Sequence, residues 1–166
     1  MPRRLRVRVP ASTSNLGPGF DSLGLALSLW LEVEAELTDG PHTFASLGGT
    51  AEGWPTEQNL LTRAFDAGCR LLGVAPQGLR VHATSEIPVG RGLGSSGAAI
   101  AAGIALAAAL ASERPDQDGL CRLAHELEGH PDNTTASLCG GCTLALPHTD
   151  GLVAVSYTHL TLPTKA

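Results

Sequence analysis

Pro88-Val89-Gly90-Arg91-Gly92-Leu93-Gly94-Ser95-Ser96-Gly97-Ala98 passes without interruption into Ala99-Ile100-Ala101-Ala102-Gly103-Ile104-Ala105-Leu106-Ala107-Ala108-Ala109-Leu110-Ala111. Packing does not explain Gly90, Gly92, Gly94 and Gly97, because glycine adds almost no apolar area and loses the most entropy on ordering. The alanine-rich run that follows is a strong helix signal. A glycine-rich turn opening onto a helix leaves backbone N–H groups unsatisfied and converging, with the positive end of the helix dipole behind them. Such a place attracts an anion, most commonly phosphate. It is not a Walker A loop, since Gly94 is followed by Ser95-Ser96 with no lysine, and no acidic residue follows at the dinucleotide-fingerprint distance. The plainer alternative makes Ser95 or Ser96 only the N-cap of a core helix.

Upstream, Leu5, Val7 and Val9 alternate with Arg4, Arg6 and Arg8, which predicts a first strand. Residues 10–21 are a run of turn formers with little to bury, the kind of loop that carries function in a compact domain. Leu23, Leu25, Leu27, Leu29, Leu31, Val33, Ala35 and Leu37 then take alternate positions, so a long strand is expected with Glu32, Glu34 and Glu36 on its solvated face. A helix is expected over 59–72, stopped by Gly73, and a strand through Leu79, Val81 and Ala83 delivers the chain to the glycine loop. A third helix, 116–128, carries Leu120, Leu123, Ala124 and Leu127 on one stripe. Pro131 forbids its continuation and leaves Glu126 and Glu128 beside a His130-Pro131-Asp132-Asn133 turn. Strand, loop and helix in repeated order give an α+β or α/β domain.

The 166 residues suffice for one domain with a real core. A net charge of −5 argues against nucleic acid as a partner. The N-terminus has no apolar segment behind Arg3-Arg4, and the alanine-rich helix is too short and too weakly apolar to span a bilayer. The four cysteines have no disulfide-framework spacing. The expectation is a cytoplasmic protein without a membrane partner.

As a whole string, Pro88-x-x-x-Gly92-Leu93-Gly94-Ser95-Ser96-Gly97 resembles the nucleotide-binding motif of the GHMP kinases. The resemblance implies an α+β nucleotide-binding domain, a mixed sheet packed on helices, with residues 88–98 around the phosphates of ATP and Ser96 near Mg²⁺. Glu126-Leu127-Glu128-Gly129-His130-Pro131-Asp132-Asn133 with Gly140-Gly141, and the early loop from Pro10 to Asp21, resemble the branch of that family that phosphorylates L-homoserine. By that resemblance Asn15, Asp21 and His130 face the acceptor. Glu126 is the magnesium carboxylate, with Glu128 as the alternative, and Asp132 and Asn133 lie beside the attacking hydroxyl. Other branches tend to carry a basic residue where this loop has Asn15, so a mevalonate-like acceptor is the second choice. Pairing into a homodimer stays open.

Phosphoryl transfer asks for positioned donors and a hard metal ion rather than covalent help, and these residue types supply both. Cys139-Gly140-Gly141-Cys142, with His125 and His130 nearby, is the competing signal, for zinc or a redox pair. The resemblance covers roughly 4–146, and its members are about twice this length. Residues 1–154 are therefore expected to be the N-terminal ATP-binding domain of a longer enzyme, inactive by itself. Residues 155–166 differ in composition and are expected to be a non-homologous tail, reading more as translated adapter than as native polar sequence.

Overall fold

The computed structural model describes residues 4–75, 77–113, 115–148 and 151–157, so most of the expected tail lies outside them. The elements are β1 (Arg4–Thr13), β2 (Leu23–Thr38), β3 (Thr43–Gly49), a 3-10 turn (Thr50–Gly53), α1 (Leu60–Leu71), β4 (Gly78–Ser85), α2 (Ser95–Ala108), α3 (Gln117–Glu128), α4 (Asp132–Cys139), β5 (Cys142–His148) and β6 (Gly151–Tyr157). β6 runs across residue 155, with Leu144 opposite Val155 and Cys142 opposite Tyr157.

The long strand β2 is the axis of a six-stranded sheet. One of its edges pairs antiparallel with β1 from Leu25 to Glu36. The other is shared, β4 taking residues 31–38 and β5 taking 23–25. β3 joins β4 in parallel and β6 closes the opposite side beside β5, so the sheet is mixed, as expected. The period-two pattern holds best in the C-terminal half of β2, where Leu31, Val33 and Ala35 are buried. A register shift after Pro10 moves its partner from Trp30 to Leu27 for Ala11, and toward that end β2 is only half-buried. The glutamates do form a solvated face. Arg4 pairs with Glu36, Arg6 with Glu32 and Glu34, and Arg8 with Glu32 while lying 3.9 Å over the Trp30 ring. Such exposed pairs specify register more than they stabilise.

Helices cover the apolar face. α2 is buried nearly all round, with Ile100, Ile104 and Leu106 among small residues, in a core that includes Leu61 and Phe65 of α1. Asn59 caps α1 by accepting from the Leu61 N–H. The helix ends as Gly73 suggested, with Val74 N–H bonded to Cys69 O and Gly73 N–H to Arg70 O, a Schellman closure. Asp116 caps α3 through the N–H groups of Asp118 and Gly119.

Two elements depart from the sequence reading. α2 starts at Ser95, not after the glycines, and its N-cap is Gly94 in the left-handed region with no side-chain cap bond. The serine-cap alternative is therefore set aside, and both hydroxyls stand in the first turn. The segment after Pro131 is a helix, α4, where a His-Pro-Asp-Asn turn was expected. Pro131 itself occupies the N-cap, where its missing N–H is harmless. α4 buries Asp132, Thr134, Thr135 and Ser137 beside Ala136 and has no apolar stripe. It reaches β2 through Gly24, where a Cβ would lie 2.2 Å from Asp132 O.

Candidate active site

A cleft of about 560 Å³ opens where the glycine loop, the first turn of α2, the end of α3 and the start of α4 meet. Gly90, Gly92 and Gly94 all have positive φ, 69°, 71° and 65°, so the loop zigzags through a conformation other residues adopt at a cost. Leu93 O accepts from Ser12 N–H at 3.2 Å, tying the loop to the end of β1. Gly94 is also enclosed, since a Cβ there would meet Ser12 Oγ at 2.2 Å and Asn133 Oδ1 at 3.0 Å. Val89, Gly90, Gly92, Leu93, Gly94, Ser95 and Ser96 line the cleft. Of the other motif residues, Ala98 is buried and donates its N–H to Gly94 O, and Gly97 lies against Asn133. Pro88 and Arg91 stand outside the lining, Arg91 exposed.

The first turn of α2 points its N–H groups and positive dipole end at this cleft. Ser96 Oγ donates to Glu128 Oε1 at 2.5 Å. Glu128 lines the cleft, while Glu126 is exposed and outside it. Of the two carboxylates, the structure brings Glu128 and not Glu126 to the cleft. The physical reason is helical period: two residues are about 200° around a helix, so the two carboxylates face opposite ways. Glu128 follows buried Ala124 by four and flanks the packed stripe, a signal the sequence already held.

Asn133 is the hub between α4 and β1. Its Oδ1 accepts from Ser12 Oγ at 3.0 Å and its Nδ2 donates to Ser14 Oγ at 2.9 Å. Ser137 Oγ donates in turn to Ser12 Oγ. Asp132 is 1% exposed and lies behind this layer rather than in the cleft. Its Oδ1 accepts from Asn133 N–H at 2.7 Å and faces His130 Nδ1 at 3.2 Å. Asn133 and His130 reach the cleft wall directly.

In the early loop, Asn15 and Asp21 both have positive φ, 59° and 54°, and Asp21 N–H approaches Asn15 Oδ1 at 3.5 Å. Asn15 lines the cleft, whereas Asp21 is exposed and not part of the lining. Trp54, Pro55, Gln58, Asn59 and Leu60 complete the wall. The sequence reading assigned none of them to the site. Their signal was a Trp-Pro pair in a polar loop that caps a helix, and only the fold brings it to the glycine loop.

Of the C-x-x-C residues, Cys139 packs against α3. Cys139 Sγ lies 3.6 Å from Cys121 Sγ, and Cys142 is buried in β5. Among the described residues, no three His, Cys, Asp or Glu side chains gather closely enough to hold a metal.

Residues 59–141 match the family described as GHMP kinases N terminal domain. The homoserine kinase of Streptomyces coelicolor is 48% identical over 145 residues, covering 85% of this chain and 47% of that protein. That of Corynebacterium urealyticum is 46% identical over 144 residues, covering 86% and 47%. The crystal structure of homoserine kinase from Cytophaga hutchinsonii superposes with a TM-score of 0.78 at 30% identity, over 92% of this chain and 51% of that one. Mevalonate kinase from Methanococcus jannaschii shares the fold, with a TM-score of 0.66 at 14% identity over 85% and 53%. The chain spans about half the length of the curated relatives it matches.

Proposed function

The chain belongs to the GHMP kinases through their N-terminal domain, and on that premise we propose that it is the nucleotide-binding part of a homoserine kinase. The complete enzyme transfers the γ-phosphoryl group of ATP to the hydroxyl of L-homoserine, giving O-phospho-L-homoserine, a step toward threonine. The identity to homoserine kinases supports the acceptor. The observation that carries the reading is Ser96 meeting Glu128 at the mouth of the glycine loop.

In-line phosphoryl transfer depends on holding phosphate, metal and acceptor in one geometry. The N–H groups from Gly92 to Ser96 and the α2 dipole hold the triphosphate. Trp54, Pro55, Leu60 and Val89 give the cleft an apolar end suited to a base. Ser96 Oγ and Glu128 are paired oxygen donors at 2.5 Å, a set that fits a hard divalent ion such as Mg²⁺. Held by these two groups, Mg²⁺ would supply positive charge against the phosphates. Asn133 and His130 orient the acceptor, and Asn15 and Asp21 offer an amide and a carboxylate for its amino-acid end. Asp132 acts as a positioning residue, because its described contacts are to Asn133 and His130.

The test uses the full-length enzyme with L-homoserine, mevalonate and galactose as competing acceptors. Homoserine-dependent ADP production is expected, with Asp21→Asn raising KM for homoserine more than for ATP. Mevalonate as the preferred acceptor would retain the family and remove the homoserine assignment. A polar site discriminates strongly against an analogue that leaves its groups unpaired.

A further inference from the structure

α3 and α4 form a helical hairpin whose closed end, Gly129 to Pro131, carries Glu128 and Asn133 to the cleft wall. At the open end, seven residues before Glu128 and seven after Asp132, stand Cys121 and Cys139. Seven residues are about two turns, or ~10 Å, along each helix. The two thiols are 3.6 Å apart. Cys121 is 1% exposed, packed with Ala145 and Leu152, whereas Cys139 is half-buried and accepts a 3.4 Å contact from Gln117 Nε2. One sulfur is reachable and hydrogen-bonded, and the other waits behind it.

We propose that Cys121 and Cys139 are a redox-active thiol pair, which a hydroperoxide closes into a reversible disulfide across the open end of the α3–α4 hairpin. Cys139 sulfur attacks the terminal peroxide oxygen, the O–O bond breaks, and the departing oxygen takes the Cys139 thiol proton and leaves as water from hydrogen peroxide or as an alcohol from an organic hydroperoxide, giving Cys139–S–OH. Cys121 sulfur then attacks Cys139 sulfur. The S–O bond breaks, and the hydroxide leaves as water with the Cys121 thiol proton. Two electrons pass from the two sulfurs to one peroxide. The sulfurs close by about 1.5 Å to reach a disulfide length of about 2.05 Å, which is within the compliance of two short helices.

Electrostatics supports the order of attack. The contact with Cys121 holds the Cys139 thiol below its usual range, burial opposes this, and the Gln117 amide adds to the lowering. The same contact, with burial, pushes the Cys121 thiol up. Cys69 is also raised, first by burial and then by Asp66, so it is a poor competitor. The pair is independent of the nucleotide reading, since none of its contacts involve the cleft.

The 166-residue chain is treated with hydrogen peroxide and mapped by mass spectrometry after alkylation. Expected are loss of two thiols of the four, a mass lower by two hydrogen atoms, and a dithiothreitol-sensitive peptide joining Cys121 to Cys139. Cys139 is expected to react roughly tenfold or more faster than Cys69. Cys142→Ser should react as the parent does. Cys121→Ser should stop at a Cys139 sulfenic acid trapped by dimedone. Recovery of Cys121 and Cys139 as free thiols while Cys69 or Cys142 is oxidised would overturn the proposal. So would Cys139 sulfinic acid beside an intact Cys121 thiol. Both readouts are made on the parent chain, so a variant that misfolds does not decide the matter.

Discussion

Ser96, in the first turn of α2, donates its hydroxyl to Glu128, the last residue of α3, across 2.5 Å. A carboxylate at a helix C-terminus opposes its own helix dipole. The positive end of α2 and the Ser96 hydroxyl offset that cost, so two helix ends of opposite sign meet on one acidic group. This placement stabilises α3 poorly and suits a cation well. In the complete enzyme, Glu128→Gln should lower kcat by roughly 10²–10³-fold, the loss typical of a transition-state charge contact. Glu126→Gln, on the exposed face, should stay within about twofold, as solvated surface changes do. Steady-state ADP production over a Mg²⁺ titration separates them. Equal losses would mean that α3 as a whole, and not one carboxylate, matters.

The glycine loop contains two kinds of glycine. Gly90 and Gly92 have positive φ but open space around them, while Gly94 has both positive φ and Ser12 Oγ 2.2 Å from where a Cβ would stand. Gly90→Ala should therefore cost only the left-handed backbone penalty, about 1–2 kcal/mol. Gly94→Ala should cost about 1–3 kcal/mol more, from overpacking against Ser12 and Asn133. Urea unfolding of the two variants reads the difference directly. Nucleotide binding in the parent enzyme should survive the first substitution and fail in the second.

What the sequence made legible were features that repeat along the chain. Alternation revealed β2, glycine followed by alanine revealed α2, and Asn59 with Gly73 bounded α1. α4 was hidden because Asp132-Asn133-Thr134-Thr135-Ala136-Ser137-Leu138-Cys139 has no apolar period and is rich in residues that compete with helix. It is a helix because burial against β1, β2 and α2 leaves its backbone no water to bond. The Cys121–Cys139 pair and the Trp54–Leu60 wall were hidden for another reason. Both arise from contacts between distant segments that no local pattern encodes.

Asp132 and Asn133 are adjacent in sequence but divide their work. Asp132 is buried and accepts from Asn133 N–H, while the Asn133 side chain bridges Ser12 and Ser14. A positioning role for Asp132 predicts that Asp132→Asn, whose amide oxygen still accepts, keeps turnover within about tenfold of the parent. Asp132→Ala should instead lower stability by about 1–3 kcal/mol, because buried donors lose their acceptor. Its KM for the acceptor should rise more than its kcat falls. A general base would behave differently: Asp132→Asn would abolish turnover with KM unchanged, by a loss at the larger end of about 10²–10⁴-fold.

The β5–β6 hairpin leaves one apolar face open. Leu146 and Val153 are cross-strand partners, Val155 follows on the same face, and they are 45%, 52% and 43% exposed. Three adjacent branched side chains on a hairpin at the side of the sheet form a patch of the kind that pairs with another surface. Fully burying each would be worth roughly 1.5–3 kcal/mol, a large share of a domain's net stability of about 5–15 kcal/mol. The 166-residue chain alone should therefore self-associate in a concentration-dependent way and produce no steady homoserine-dependent ADP, since it spans only about half the length of the kinases it matches. Val153→Thr with Val155→Lys should shift sedimentation toward monomer without lowering the unfolding midpoint, since neither side chain supports the core. A wild-type chain that sediments as monomer at every concentration, with cooperative unfolding and steady turnover, would show that this face needs no cover and that the cleft is complete.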